Sequence, residues 1–417
     1  MLYRWLLALK KPSNRLWVAP ALGAVLATLF AFAARLLNLW LPPDTLPDIE
    51  LGTLEGLLDV IASSMLAVST FSLSIMVSAF ASAANSATPR ATELVMGDDT
   101  TRTAIASFLS AFIYAIIAKT ALGMGFYGQN GRFVLFVSTA LVLAYLIATL
   151  IRWVHTLSQL GRMGNTLDKI HTAAAEALRR HRASPDMGAA WQGQPAAGAA
   201  VLYARRNGYL THIDMAGLQK RAEAAGGHIH IQVRPGELIM PDTPLAQVCG
   251  GAIDIEDLRD CFVLDVSRSY AQDPGWGFVV LSEAAQRALS AAVNDPGTAI
   301  NVMTRMMRLL LDTAAEDQDD GDVPVYDRLS IMRLDEGEWI RDGFAPIARD
   351  GAGVAEVGLV MQKVLAGIRR GAPEPAVAAA AETTARQALA RAEQVLDFDG
   401  DKQALREQHR RLFADTP

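Results

Sequence analysis

The chain has 417 residues, 51% hydrophobic and 20% charged, with a formal net charge of −6. That length calls for two or three domains, and the mild acidic balance excludes the basic footprint of a nucleic-acid binder. Two cysteines, Cys249 and Cys261, and seven scattered histidines supply neither a disulfide framework nor a metal-ligand spacing, so a reducing compartment without metal or other cofactor is expected.

Apolar residues concentrate before Trp153 and charged residues follow it. The start, "MLYRWLLALKK", reads as a short interfacial helix over 1–16 with its bases among the headgroups. Four apolar stretches come next: 17–40, 57–84, 104–125 and 133–151. Each suits a spanning helix, which needs roughly 20 apolar residues. Trp17, Trp40, Tyr127 and Trp153 stand at span ends, where amphipathic rings favour the interface. "AFA" in the first stretch mimics a signal-peptide cleavage site, but the run is long and three more follow, so a span is expected. Arg4, Lys10, Lys11 and Arg15 precede the first span, Arg90 and Arg102 lie between the second and third, and Arg152 and Arg162 follow the fourth. The loop after the first span instead carries Asp44, Asp48, Glu50 and Glu55. This bias predicts a multi-pass protein of a bacterial inner membrane, with both termini cytoplasmic.

Three charges fall inside the expected spans: Arg35, Asp59 and Lys119. Each must face protein, water or the interface. Arg35 is placed to snorkel, and Lys119 either pairs with Asp59 or snorkels likewise.

The second span carries small or polar residues at helical spacing: Ala67, Thr70, Ser74, Ser78, Ala81 and Asn85. These fall within about 40° of one another on a helical wheel. Two uses fit such a stripe. It is a seam that lets helices approach closely, or it lines a wet path around an oligomer axis. At residues 57–84 the span covers roughly 42 Å, more than a hydrocarbon core. It ends in "NSATPR", where Thr88, Pro89 and Arg90 predict a break, a hydroxyl cap and a restarted surface helix, "PRATELVMGDD".

After the fourth span, "RWVHTLSQLGRMGNTLDKIHTAAAEALRRH" is expected to continue as a polar helix into a Gly/Pro/Ala-rich linker. "AVLYARRNGYLTHI" predicts a hairpin turning at Asn207-Gly208. "DMAGLQKRAEAAGG" predicts a helix capped by Asp214 and closed by glycine. Short strands follow, and "VRPGELIMPDTPLAQV" resembles the small β-barrel of biotinyl and lipoyl carrier domains. No lysine lies between Lys220 and Lys363, so carrier chemistry is not expected. Further on come two helices, the second capped by Asp295 with Pro296 at its first turn, then a strand at "VYDRLSIMRL". Three helices near 337–348, 352–370 and 375–396 and a charged, solvated terminal helix complete the chain. Asn294, Asp295, Pro296 and Thr298, with Asp273 upstream, are the cytoplasmic motif that could hold an ion or phosphate; helix capping explains the same residues. No nucleophile elbow, phosphate loop or metal-binding helix pair occurs, so no catalytic residue is assigned and an enzyme is not expected.

At "FSLSIMVSAF…SATPR", "NGYLTHID" and "RALSAAVNDPGTAIN" the chain resembles a family of bacterial predicted membrane proteins, domain of unknown function 2254. The most specific match runs through Ala288, Leu289, Ser290, Asn294, Asp295, Pro296, Thr298 and Ala299. Where the family's second-span motif usually ends Ser-Pro-Arg, this chain has Thr88-Pro89-Arg90, which keeps a hydroxyl cap and implies the same bend. The resemblance implies four N-terminal spans and a cytoplasmic C-terminal region, and no reaction.

The fold expected is therefore an α-helical membrane domain of four transmembrane helices with an α+β cytoplasmic region, which contains a small β-barrel-like module and a helical C-terminal domain. The boundaries expected are 1–16 for the interfacial helix, 17–154 for the membrane domain and 155–198 for the extension and linker. The β-rich module takes 199–255 and the helical domain 256–417. The function expected is an oligomeric channel lined by the second span, with lipid, ions and further copies of itself as partners. The alternative is a membrane-anchored scaffold or signalling module whose cytoplasmic domain binds a partner.

Overall fold

In the computed structural model the described residues are 21, 25, 46–86, 88–91, 94, 99–157, 161–193, 195, 199–313 and 325–414. The expected interfacial helix and, apart from residues 21 and 25, the first span with Arg35 lie outside them, as does most of the expected surface helix after Arg90. The chain divides into two units: Met1–Asn85 with Thr92–Asn165, and Ser86–Ala91 with Thr166–Pro417.

In the first unit, helices α1 (Leu51–Ser86), α2 (Asp99–Gly123) and α3 (Gln129–Leu157) each contain a stretch long and apolar enough to cross a membrane. Thus three candidate spans are present among the described residues. One face of α1, through Leu54, Leu58, Ile61 and Met65, packs with Phe108 and Ala115 of α2 and Leu135, Leu146 and Trp153 of α3. The spacing of three and four keeps those α1 residues on one side of the helix. Phe108 meets Trp153 edge-on at 6.0 Å. The Tyr114 hydroxyl, which cannot stay bare in an apolar core, hydrogen-bonds Ser138 at 3.1 Å and Thr139 at 3.2 Å.

The expected continuous helix after the last span is instead two helices. α3 ends at Leu157, Gly161 takes a left-handed φ of 74°, and α4 (Met163–Ala183) starts afresh. Glycine adopts that conformation without a Cβ clash, and one such residue ends a helical ladder.

The second unit holds an α+β region and a helical region. Its strands are β1 (Ala200–Tyr203), β2 (Gly208–Ile213), β3 (His228–Ile231), β4 (Leu238–Ile239), β5 (Pro244–Cys249), β6 (Phe262–Asp265) and β7 (Leu329–Ile331). Helix α5 (Met215–Ala225) follows β2, and one turn, α6 (Ile255–Leu258), precedes β6. α5 opens on the Asp214 carboxylate, which accepts from the Gly217 amide, and closes on left-handed Gly226. The strands form two open sheets, β1-β5-β3-β7 and β4-β2-β6, over a shared core that includes Leu202, Leu210, Leu218, Ile229, Ile239 and Phe262. This corrects two expectations. Among the described residues no sheet closes into a barrel. And β1 and β2 are not a hairpin: β1 pairs with β5, while β2 pairs with β4 and β6. Gly208 serves packing rather than a turn, for a Cβ there would meet the Asp265 carbonyl oxygen at 2.9 Å.

The helical region comprises α7 (Trp276–Ala288), α8 (Pro296–Asp312), α9 (Glu338–Asp350), α10 (Ala355–Gly371), α11 (Pro375–Val395) and α12 (Asp399–Phe413). α7 packs on α8 and α9, α9 on α11, and α10 on α8, α11 and α12. The Phe278 and Trp339 rings stack at 5.9 Å between α7 and α9. The terminal helix α12 is not wholly solvated. Leu405 is buried, Gln408 donates to the Leu359 carbonyl, and His409 bonds the buried Gln362 side chain at 2.7 Å.

A buried polar junction joins the end of α4 to the rest of this unit. Arg182 grips Glu374 with two bonds of 2.7 and 3.0 Å and donates to the Leu310 carbonyl at 2.9 Å. Buried Arg234 donates to the carbonyls of Met332 at 2.6 Å and Pro185 at 3.0 Å. Between them His181 sits edge-on to Trp339, its Nε2 3.6 Å from Glu336. Burial, then the nearby Arg234 and Arg182, push the His181 imidazole down to about 4. The folded chain therefore keeps this ring neutral while the unfolded chain protonates it near its ordinary value of 6.5. The resulting stability is complete above pH 6.5 and is lost as pH falls towards 4, by about 3 kcal/mol. Urea unfolding of the detergent-solubilised chain, followed by tryptophan emission, should show that His181→Gln loses about 3 kcal/mol less between pH 7 and pH 4 than the parent. An unchanged pH dependence would mean that this ring titrates normally.

Candidate functional site

Within the first unit, the small and polar stripe lies on the side of α1 turned away from the bundle core. Ala67, Thr70, Ser74, Ser78 and Ala81 are exposed, whereas Ser72, Met76 and Ala79 are buried. The Asn85 side chain lies outside the described residues. Thr70 donates its hydroxyl proton to the Leu66 carbonyl and Ser74 to the Thr70 carbonyl, both at 3.0 Å. Such back-bonding settles the proton and leaves the oxygen lone pairs facing outward. Phe71, Leu73 and Val77 are exposed beside the stripe, so this surface is mixed rather than purely polar. Asp59 of α1 pairs with Lys119 of α2, and both side chains remain partly exposed.

In the second unit, the peptide that follows α1 is held by α7. Thr88 is buried. Its hydroxyl accepts from the Arg90 amide at 3.3 Å and donates to Glu283 Oε2 at 2.9 Å. The Arg90 guanidinium pairs with the other oxygen, Glu283 Oε1. One carboxylate thus fixes both ends of the Thr88-Pro89-Arg90 turn. Hydrogen bonding to Glu283 raises the Arg90 pKa, so the base stays charged at any working pH.

Seven residues before Glu283, on the same face of α7, stands Trp276. The Arg90 guanidinium lies 5.6 Å from its ring centroid and that of Arg268 lies 5.0 Å away. Both distances suit cation–π attraction. Arg268 also forks onto Asp273, with Nε–Oδ2 at 2.7 Å and Nη2–Oδ1 at 3.0 Å. Asp273 Oδ1 further accepts from the amides of Gly275 and Trp276 at 3.0 and 3.1 Å, so the buried acid caps the start of α7. Burial pushes its carboxyl up, and Arg268 and these amides oppose the shift. Gly277, on the next residue of α7, brings α4 close: a Cβ there would meet the Ala174 methyl at 2.2 Å. Helix α7 therefore receives both the peptide after α1 and the helix that follows α3.

The other motif residues lie elsewhere. Asn294 has a left-handed φ of 51°, and Asp295 caps α8 through the Thr298 amide at 3.0 Å and the Thr298 hydroxyl at 2.6 Å, with Pro296 in the first turn. These bonds draw the Asp295 pKa down. Asp273 precedes the 13-residue α7 and Asn294 follows it, a separation of about 20 Å along the helix. Asp273 and Asp295 are not one site. Among the described residues no group of three or more His, Cys, Asp or Glu side chains is placed to hold a metal ion, and both cysteines are free. Sequence reasoning passed over Glu283, Trp276 and Arg268. The signal for Glu283 was a lone acid inside the apolar run "GFVVLSEAA".

Over residues 13–367 the chain matches the family described as predicted membrane protein (DUF2254). It belongs to that family. The match takes in the three candidate spans, the Thr88-Pro89-Arg90 turn and α7. The chain matches no curated protein and no solved structure. As a DUF2254 member it is a membrane protein of unknown function.

The Glu283 clamp is directly testable. Charge-assisted hydrogen bonds are worth roughly 1.5–3 kcal/mol, with less for the half-exposed Arg90 than for buried Thr88. Glu283→Ala should let trypsin cut the Arg90–Ala91 bond about tenfold faster in detergent micelles, with Glu283→Gln in between. Equal cleavage in all three proteins would show that Glu283 does not restrain the turn.

Proposed function

We propose that the chain is one subunit of a homo-oligomeric pore in a bacterial inner membrane, with α1 turned towards the shared axis. The carrying observation is the exposed line of Ala67, Thr70, Ser74, Ser78 and Ala81 on an otherwise apolar helix. In hydrocarbon such a line gains nothing from lipid, whereas around an axis it meets water or the same line on a neighbour. The four-span reading, with both termini cytoplasmic, belongs to this proposal. It rests on the apolar stretch at 17–40 and on the distribution of arginine and lysine.

Electrostatics favours cations over anions. The outward atoms at Thr70 and Ser74 are hydroxyl oxygens whose protons are engaged with the helix backbone. They offer lone pairs to a partly dehydrated cation. The C-terminal end of α1, carrying the negative end of the helix dipole, faces the cytoplasmic mouth in this arrangement. The turn held by Glu283 gives the cytoplasmic region a grip on that same end, so it regulates permeation.

Purified protein in planar bilayers should give single-channel currents that prefer cations. Ser74→Leu and Ser78→Leu, which put branched apolar groups on the axis, should lower unitary conductance on the order of tenfold by dewetting. Thr70→Val keeps the shape but loses the oxygen, and should weaken cation preference. Absence of current under voltage or tension from protein of unchanged oligomeric state would overturn the pore and leave the membrane-anchored scaffold as the better reading.

A further inference from the structure

The sheet β4-β2-β6 has one face in the core and one without a partner among the described residues. Residues directly opposite in an antiparallel pair point to the same side, and alternate residues of a strand share a side. Tyr209 stands opposite both Leu238 and Asp265, and Val263 lies opposite His212. Leu210, Ile213, Ile239 and Phe262 are buried on the inner side. The outer side shows Leu238 at 56% exposure and Val263 at 45%, with Met240 at 53% just past β4, and Val266 in the bend that follows β6 is 90% exposed. An aliphatic face around a tyrosine, on a sheet with two edges, is a poor surface to leave in water.

The position of this face in the chain's path narrows what covers it. The apolar stretch of α1 ends at Ser82, and Thr88, six residues on, is held by Glu283. Six residues reach no more than about 20 Å. Arg90, two residues further, rests on the Trp276 ring that Arg268 also touches, and Arg268 comes three residues after β6 ends at Asp265. The face is thus tethered close to the end of a membrane-crossing stretch. Its chemistry suits the headgroup layer, where tyrosine and aliphatic side chains partition together.

We propose that the outer face of the β4-β2-β6 sheet, with Leu238, Met240, Tyr209 and Val263, and the adjoining bend at Val266, seats in the headgroup layer of the bilayer that α1 crosses. Apolar burial is the driving force and charge is not. Asp265 and His212, which stands opposite Val263, are the acid and the imidazole on this face, and the nearby Arg90 and Arg268 are already engaged by Glu283 and Asp273. Zwitterionic lipid therefore suffices. The inference needs the α1 span but not the pore.

The test uses the full chain in nanodiscs of phosphatidylcholine alone. Cys249 is replaced by serine, and buried Cys261 is left in place. Spin labels go on Leu238→Cys, Val266→Cys and, as an aqueous control, Phe398→Cys, where the native side chain is 69% exposed. At 238 and 266, collisions with oxygen should outweigh those with a water-soluble nickel complex, and at 398 the reverse. Equal aqueous access at all three sites would overturn the proposal. So would interfacial signals that arise only when phosphatidylglycerol is added, because the attraction would then be electrostatic. Dipolar broadening at 266 that disappears on dilution with unlabelled protein would place a second copy on this face and overturn it as well. Each of these readouts is independent of current, so a non-conducting protein could still seat this sheet in lipid.

Discussion

One carboxylate ties the peptide leaving α1 to the helical region. Glu283 accepts the Thr88 hydroxyl on one oxygen and the Arg90 guanidinium on the other. Neither bond is strong by itself, because Arg90 is half exposed and water competes for it. The pair is effective because the Thr88 hydroxyl is buried and has no water to return to. Loss of Glu283 would leave that group without its acceptor, which costs more than the bond contributed. The proline between the two contacts fixes φ, so the turn has little freedom to absorb a pull on either end.

Helix α1 solves a conflict between lipid and polarity by dividing its surface. One side, through Leu54, Leu58, Ile61 and Met65, builds the bundle core, and Ser72 on the buried surface turns its hydroxyl back onto the Val68 carbonyl. The opposite side presents the stripe. Because Thr70 and Ser74 also bond backward, the stripe does not carry the full cost of unsatisfied hydroxyls. That lowers the penalty for a monomer in lipid, and it also leaves acceptor oxygens in place for an assembled state. The proposed pore uses the second property; the first explains how a subunit could persist before assembly.

What could be read from the sequence was local. The Asp214 cap and Gly226 stop of α5, the Asp295 and Pro296 start of α8, and the break before Thr88 each depend on residues within one helical turn. Apolar runs likewise announced the three candidate spans among the described residues, because a length near 20 residues is set by the bilayer. What failed was non-local. The Asn207-Gly208 pair has the form of a hairpin turn, yet β2 pairs with β6 some 50 residues later, and β3 takes β7 as a parallel neighbour about 100 residues away. Asp273 and Asp295 looked like a cluster because they are near in sequence, but a straight helix keeps them apart. Glu283 was invisible for the opposite reason: its partners lie almost 200 residues upstream, and nothing in its own neighbourhood demands them.

Helix α7 has the geometry of a rigid bar. One face carries Trp276 and Glu283, which meet Arg90 and Thr88, and about a quarter-turn round the helix Gly277, whose missing side chain admits α4 at Ala174. Its inner face is fully buried through Phe278, Leu281 and Ala285, with Phe278 stacked on Trp339 of α9. Close-packed interiors deform little, so a bar seated in this way moves with its neighbours or not at all. In the proposed pore, this seating is what passes a displacement of the peptide after α1 to the helical region, and back, through the same carboxylate. The capped start of α7 adds to this stiffness. Asp273 holds two of its free amides and the guanidinium of Arg268, which in turn braces the Trp276 ring on which Arg90 rests. The buried acid read from the sequence as a possible ligand site thus caps the helix end beside which the Thr88-Pro89-Arg90 turn is held.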